Sequence, residues 1–238
     1  MKVGADPEVF LKSKTTGKFV SAYGKFPGTK ADPFRIPGGA IQVDGNALEF
    51  NIDPAETEDE FVNNVYNVFN QVKTMVAEFD PDLEVSLSPI AIFDAQEFAA
   101  LPEEAKLLGC EPDFEAVTEF GEPIESPEIM FDPIRTSSFH IHLGFEDRDV
   151  DEFDDEEFVK RLRVAQVVSP KIMEVAKQWE TPESEERRKF YGHIFAFRPK
   201  PYGVELRCLD GLCLEDEGRL RQLYQTVTQA FSEVEYAM

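Results

Sequence analysis

Apolar and polar positions recur along this chain with two periods, and the switches between them predict its elements. Residues 1–24 and 36–53 read as short strands and turns: Glu8-Val9-Phe10-Leu11 and Lys18-Phe19-Val20 are β-prone, and Gly38-Gly39 and Asp44-Gly45-Asn46 are turn signals. The second of these signals places a hairpin across Asp44-Gly45. Thr57 followed by Glu60 forms a capping box, after which Phe61, Val65, Val68, Phe69, Val72, Met75, Val76 and Phe79 fall at helical spacing. A strand is predicted over 84–92, a weak helix around Pro102 over 96–108, and a long Pro-, Gly- and acid-rich excursion over 109–134 that could wall a pocket. Strand 138–145 precedes a helix capped by Asp154 or Asp155, kinked or split at Pro170. Thr181-Pro182 starts a short charged helix ending near Lys189. The stripe Leu220, Leu223, Tyr224, Val227, Phe231 and Val234 marks a last amphipathic helix over 215–236. The fold class is therefore α+β, with helices expected on one side of a sheet and chemistry on the other.

Length changes this picture little: 238 residues, 42% of them hydrophobic, suit one domain spanning 1–238. No apolar run is long enough to cross a bilayer and Met1-Lys2-Val3-Gly4-Ala5-Asp6 does not read as a signal peptide, so a soluble, cytoplasmic protein is expected. Three widely spaced cysteines (Cys110, Cys208, Cys213) fit neither a disulfide framework nor a zinc ribbon. No basic neighbour favours a Cys110 thiolate, and it is assigned no chemistry. A net charge of −23, from 24 basic and 47 acidic residues, opposes attraction to nucleic acid and to anionic membranes. Such acidity suits either a salt-adapted protein or solvated helix starts such as Asp151-Glu152-Phe153-Asp154-Asp155-Glu156-Glu157.

Candidate chemistry follows from the period of two, because strand residues at i and i+2 share a face. Phe139-His140-Ile141-His142-Leu143 puts two of the chain's three histidines on one face; the pair suits a divalent metal, or one imidazole on metal with the other on an anion. Asp6-Pro7-Glu8 presents two carboxylates suited to Mg2+ or Mn2+, with Pro7 confining them to a strand edge or start. Glu49 and Asn51 share a face opposite Leu48, Phe50 and Ile52. Arg198/Lys200 and Glu205/Arg207 repeat the device twice; arginine can fork onto phosphate or carboxylate, lysine can act as a point charge, and Glu205 could complete a metal shell. Arg187, Arg188 and His193 could extend the cationic patch, although Arg187 reads more simply as a solvated helix end. Taken singly, Asp6/Glu8 and Glu49/Asn51 read more simply as ordinary strand residues, His140/His142 suits a satisfied or exposed pair as well as a site, and only the Arg198–Arg207 set favours an anion site over a surface ion-pair ladder.

Their order is more telling. Gly4-Ala5-Asp6-Pro7-Glu8-Val9-Phe10-Leu11 resembles the first metal-binding strand of glutamine synthetase and its relatives. Ser138-Phe139-His140-Ile141-His142-Leu143 resembles that superfamily's histidine strand, and Tyr202-Gly203-Val204-Glu205-Leu206-Arg207 its closing Glu-x-Arg strand. Together with Gln42–Asn51, Gly109-Cys110-Glu111-Pro112-Asp113 and Arg198–Arg207, the chain looks most like the small phage-associated COOH–NH2 ligases of the amidoligase group, over most of residues 1–213.

The resemblance implies a curved, mainly antiparallel sheet of the glutamine synthetase catalytic type, acting in a bacterial or phage-infected cell. It implies an ATP-dependent ligase: a carboxylate is activated as an acyl phosphate and a small-molecule or peptide amine displaces the phosphate. Asp6, Glu8, Glu49, His140 and Glu205 would bind Mg2+ or Mn2+. His142, Lys200, Arg198 and Arg188 would contact the nucleotide, and Arg207, Arg198 and Lys200 would stabilise transferred phosphoryl oxygens or hold the substrate carboxylate. Asp6 stands where Glu is usual and reaches less far, and Asp44 matches a further family ligand only loosely. A metal-dependent amide hydrolase and a non-catalytic metal- or nucleotide-binding protein are the competing readings.

Overall fold

The structure, a computed structural model, describes residues 1–106, 113–125, 132–146 and 149–235; Cys110 lies outside the described residues. In chain order it contains strands β1 (Lys2–Ser13), β2 (Phe19–Val20), β3 (Phe34–Ile36), β4 (Gly39–Asp44) and β5 (Ala47–Ile52), then helix α1 (Glu58–Phe79). Strands β6 (Leu83–Ser86) and β7 (Ile90–Ile92), short helices α2 (Ala95–Ala99) and α3 (Glu103–Lys106), and strands β8 (Asp113–Glu115), β9 (Glu122–Ile124), β10 (Ile134–Thr136) and β11 (Phe139–Gly144) follow. Helices α4 (Asp155–Ala176) and α5 (Pro182–Arg187), strands β12 (Ala196–Lys200) and β13 (Gly203–Leu209), a 3-10 turn and helix α6 (Glu217–Glu235) complete the described chain.

Eleven strands join in one sheet along the order β3-β4-β5-β1-β11-β13-β12-β8-β9, with β2 and β6 also on β1. Its described ladders are antiparallel. The period of two sorts residues as predicted. Val3, Ala5, Val9, Leu48, Phe50, Ile141, Leu143, Val204 and Leu206 are buried in a core that includes Phe61, Val65 and Phe69 of α1, Leu162 and Val168 of α4, and Leu220 and Val227 of α6. The alternate residues Asp6, Glu8, Glu49, His140, His142, Glu205 and Arg207 therefore point to the opposite face. No described helix is long and apolar enough to cross a membrane.

Two glycines shape the site strands. Gly45 (φ 54°) opens the two-residue loop between Asp44 and Ala47, the φ > 0 position of a tight hairpin turn. At Gly203 (φ 153°) a Cβ would lie 1.9 Å from the Leu143 carbonyl oxygen, so only glycine lets β13 approach β11 here, opposite Gly144 and two residues from the His142–Glu205 pair.

Several boundaries differ from the predicted ones. The 84–92 strand is two strands in different sheets, because the chain turns at Pro89 and β7 pairs with β10. Pro102 divides the 96–108 segment into α2 and α3, of which residues 107–108 lie outside the described part. The excursion over 109–134 is not structureless: β8 and β9 extend the main sheet beyond β12. Pro170 does not interrupt α4, whose packing against β12, β13 and α6 outweighs one missing backbone bond. At the α1 capping box Thr57 accepts from Glu60 N, but the Glu60 carboxylate reaches Glu56 N instead of Thr57 N.

Candidate active site

Four neighbouring strands bring the predicted residues together. Asp6 and His140 are Cα partners across β1 and β11, Glu8 and Glu49 across β1 and β5, and His142 and Glu205 across β11 and β13. Carboxylates directly opposite one another, as Glu8 and Glu49 are, repel. Asp44 joins them because the two-residue hairpin returns β4 alongside β5 with the same residues facing up. One ligand atom each from Glu8, Asp44 and Glu49 lies within 4.8 Å of the others; Asp6, His140 and Glu205 form a second such group.

In the second group His140 Nδ1 is 3.2 Å from Asp6 Oδ1 and 3.4 Å from Glu205 Oε1, and His142 Nε2 is 2.9 Å from Asp6 Oδ2. Asp6 Oδ1 and His142 Nε2 are nevertheless buried without a properly directed hydrogen bond. Lone-pair atoms that converge without bonding one another fit a divalent cation, and the oxygen-rich first group fits Mg2+ or Mn2+. Tyrosine hydroxyls meet the imidazole nitrogens that face away from Asp6: Tyr191 Oη lies 3.2 Å from His140 Nε2 and Tyr202 Oη 2.6 Å from His142 Nδ1.

Cations surround Glu205. Arg207 pairs with it directly, Lys200 Nζ is 2.9 Å away and Arg198 Nη1 3.7 Å. Asp113 at the start of β8 bridges both arginines, accepting from Arg198 Nη2 at 2.7 Å and Arg207 Nε at 3.0 Å. Beside Asp6 and His142 the face opens into a cleft of about 920 Å3 whose lining includes Lys2, Gly4, Asn51, Glu146 and Tyr202.

Of the predicted residues, Asp6, Glu8, Glu49, His140, His142, Arg198, Lys200, Glu205 and Arg207 assemble, and Asn51 lines the cleft. Arg188 does not join them: it pairs with Glu180, Nη2 to Oε2 at 3.1 Å. His193 is exposed. The solvated reading of Arg187 is corrected, since this side chain is 1% exposed and donates to Ser137 O, Cys208 O, Leu209 O and Ser138 Oγ. Asp113, Tyr191 and Tyr202 had no assigned role from sequence; a hairpin register drawn from the two-residue loop would have placed Asp44.

Burial, then repulsion by Asp44, pushes the Glu8 carboxyl up to about 7 against the opposing pull of Arg207. Burial and the charges of Asp6, Glu8 and Asp44 hold Glu49 well above the carboxylate range. Burial also opposes the charge on Asp6, but His142 and His140 beside it hold its carboxyl well below that range. Burial and the Arg207 charge push His140 down to about 3, so it is a neutral imidazole at pH 7, as a metal ligand must be.

A pH dependence follows. A carboxyl whose folded pKa is raised binds its proton more tightly when folded, so the Glu8 contribution is full below about 4.5 and lost by about 7. His140, lowered, acts oppositely and finishes by about 6.5. Above that pH the raised Glu8 and Glu49 carboxyls still bind protons more tightly in the folded protein, so the metal-free protein should lose thermal stability from pH 6.5 to 8. Melts in chelator should show that fall, and Glu49→Gln or millimolar Mn2+ should flatten it; a curve that rises through this window in chelator contradicts the assignment.

Among known proteins, no family model matches this chain and no curated protein matches it in sequence.

Proposed function

We propose that this face belongs to an ATP-dependent carboxylate–amine ligase that uses Mg2+ or Mn2+ and joins a small-molecule or peptide carboxylate to an amine. The observation that supports it most is the meeting of two ligand groups, Asp6/His140/Glu205 and Glu8/Asp44/Glu49, with Arg198, Lys200 and Arg207 at one edge. The thiols of Cys208 and Cys213 belong to the helix-covered core. Acyl activation by phosphoryl transfer needs aligned charge more than a protein nucleophile, and this arrangement supplies charge.

On this reading the acidic residues and His140 hold the cations, and His142 lies near the phosphates. Arg207, Arg198 and Lys200 neutralise oxygens that gain charge. When bound, ATP and its metal ions supply the activating phosphoryl group and the positive charge that steadies it. The cleft beside Asp6 and His142 gives the substrate pair room. The large antiparallel sheet with its long helices α1, α4 and α6 on one face supports the glutamine synthetase catalytic type, although α2 packs its Phe98 against Phe10 on the other, and the same reading puts the protein in the cytoplasm.

A thermal-shift titration tests this. ATP with Mn2+ or Mg2+, at about 100 times its Kd, stabilises a folded protein by about 2.7 kcal/mol, a rise of roughly 5–10 °C. ADP should then accumulate with some member of an amino-acid and peptide panel. No shift at millimolar ATP with either metal would overturn the proposal, and ATP-independent amide hydrolysis surviving replacement of Arg198, Lys200 and Arg207 would replace it with a metal-dependent hydrolase.

A further inference from the structure

His140 sits at an irregularity in the sheet. Phe139 pairs with Leu209 and Ile141 with Leu206, so Arg207 and Cys208 together face the single residue His140. Such a bulge re-aims the side chains beside it. Arg187, the last residue of α5, is bolted across it: Nη1 donates to Cys208 O at 3.1 Å, Nη2 to Leu209 O at 2.9 Å and Ser138 Oγ at 2.9 Å, and Nε to Ser137 O at 2.6 Å. Tyr191 follows within one turn, its N donating to Arg187 O at 2.8 Å. The guanidinium carbons of Arg187 and Arg207 each lie 5.4 Å from its ring centroid. The phenol thus lies beside two cations with Oη 3.2 Å from His140 Nε2.

A neutral imidazole carries one N–H, so only one of its nitrogens can donate. At Nδ1 the neighbouring Asp6 Oδ1 is 3.2 Å away but has no hydrogen bond, so a proton placed there is badly aimed. At Nε2 the contact with Tyr191 has hydrogen-bond geometry. We propose that Tyr191 is a positioning residue: its phenol oxygen accepts the Nε2–H of His140 and so holds the tautomer whose Nδ1 lone pair faces Asp6 and Glu205. The inference rests on reading those three residues as a cation site, and it names the group that prepares His140 before a cation arrives. An outer partner that fixes a ligand histidine in this way commonly contributes 10–100-fold to metal affinity.

Two measurements separate this inference from the reading beneath it. Long-range 1H–15N correlation spectra of the metal-free, 15N-histidine-labelled protein report each tautomer directly, with His140→Gln identifying the His140 signals. The wild type should show His140 protonated at Nε2. Tyr191→Phe, which keeps the ring and its cationic neighbours, should lose that single tautomer, leave His142 unchanged and weaken Mn2+ by about 10-fold or more in an EPR titration. A wild-type His140 protonated at Nδ1, or a Tyr191→Phe protein with unaltered tautomer and Mn2+ affinity, overturns the role of Tyr191. Absence of Mn2+ binding by the wild type would instead remove the cation site, while the tautomer spectrum still decides whether Tyr191 orients His140.

Discussion

Glu205→Gln should be among the most damaging substitutions on the open face, lowering both stability and metal-dependent ATP turnover. Glu205 is 1% exposed and is the shared partner of Arg207, Lys200 and Arg198. Removing one side of a buried ion pair strands the other, at a cost of about 3–5 kcal/mol, or roughly 10 °C in Tm. Turnover should fall further than folding accounts for, by about 10^2–10^3-fold, the size of losing one preorganised electrostatic partner. Glu205→Asp keeps the charge but withdraws it by one methylene, so it should recover much of the stability and little of the turnover. Paired melts and ADP assays read the two effects separately. A Glu205→Gln protein with wild-type Tm and wild-type turnover would mean that the cations do not depend on this carboxylate and that no reacting group does either.

Arg187→Ala should destabilise the protein by about 4 kcal/mol or more, while its neighbour Arg188→Ala should cost only about 1 kcal/mol. The contrast is physical. Arg187 satisfies the carbonyls of Ser137, Cys208 and Leu209 in a region closed to water, so its loss leaves those acceptors unpaired beside a cavity. Arg188 makes one partly exposed pair with Glu180. Arg187→Lys should recover only part of the loss, because a single ammonium cannot reproduce a planar fork that serves acceptors on β13 and on the segment leading into β11. Urea melts of the three variants decide it: equal costs for Arg187→Ala and Arg188→Ala would show that Arg187 does not join α5 to the sheet.

Much of the open face was readable before folding was considered. Side chains at i and i+2 on a strand must share a side, so Asp6/Glu8, His140/His142, Arg198/Lys200 and Glu205/Arg207 could be paired from alternation alone. Helices α1 and α6 were equally legible, since their apolar stripes and the Thr57 cap are local features. Asp113 was not, because β8 is a three-residue strand within a Pro- and acid-rich segment and has no periodicity of its own. Its role depends on pairing with β12, some 80 residues later.

Arg187 and Arg188 show where local reading stops. Both end the same short charged helix, and nothing in their spacing says which turns inward; the packing of α5 against the strands buries one and leaves the other with Glu180. The two tyrosines follow the same rule. Tyr191 and Tyr202 are 51 and 60 residues from the histidines they touch, and those contacts are set by how the end of α5 and the β12–β13 turn sit against β11. Local periodicity thus determined which residue types share each strand face, because side-chain direction is a property of the strand itself. Which strands become neighbours, which arginine is buried and which hydroxyl meets each histidine were decided by tertiary structure, because they depend on register between segments far apart in the chain.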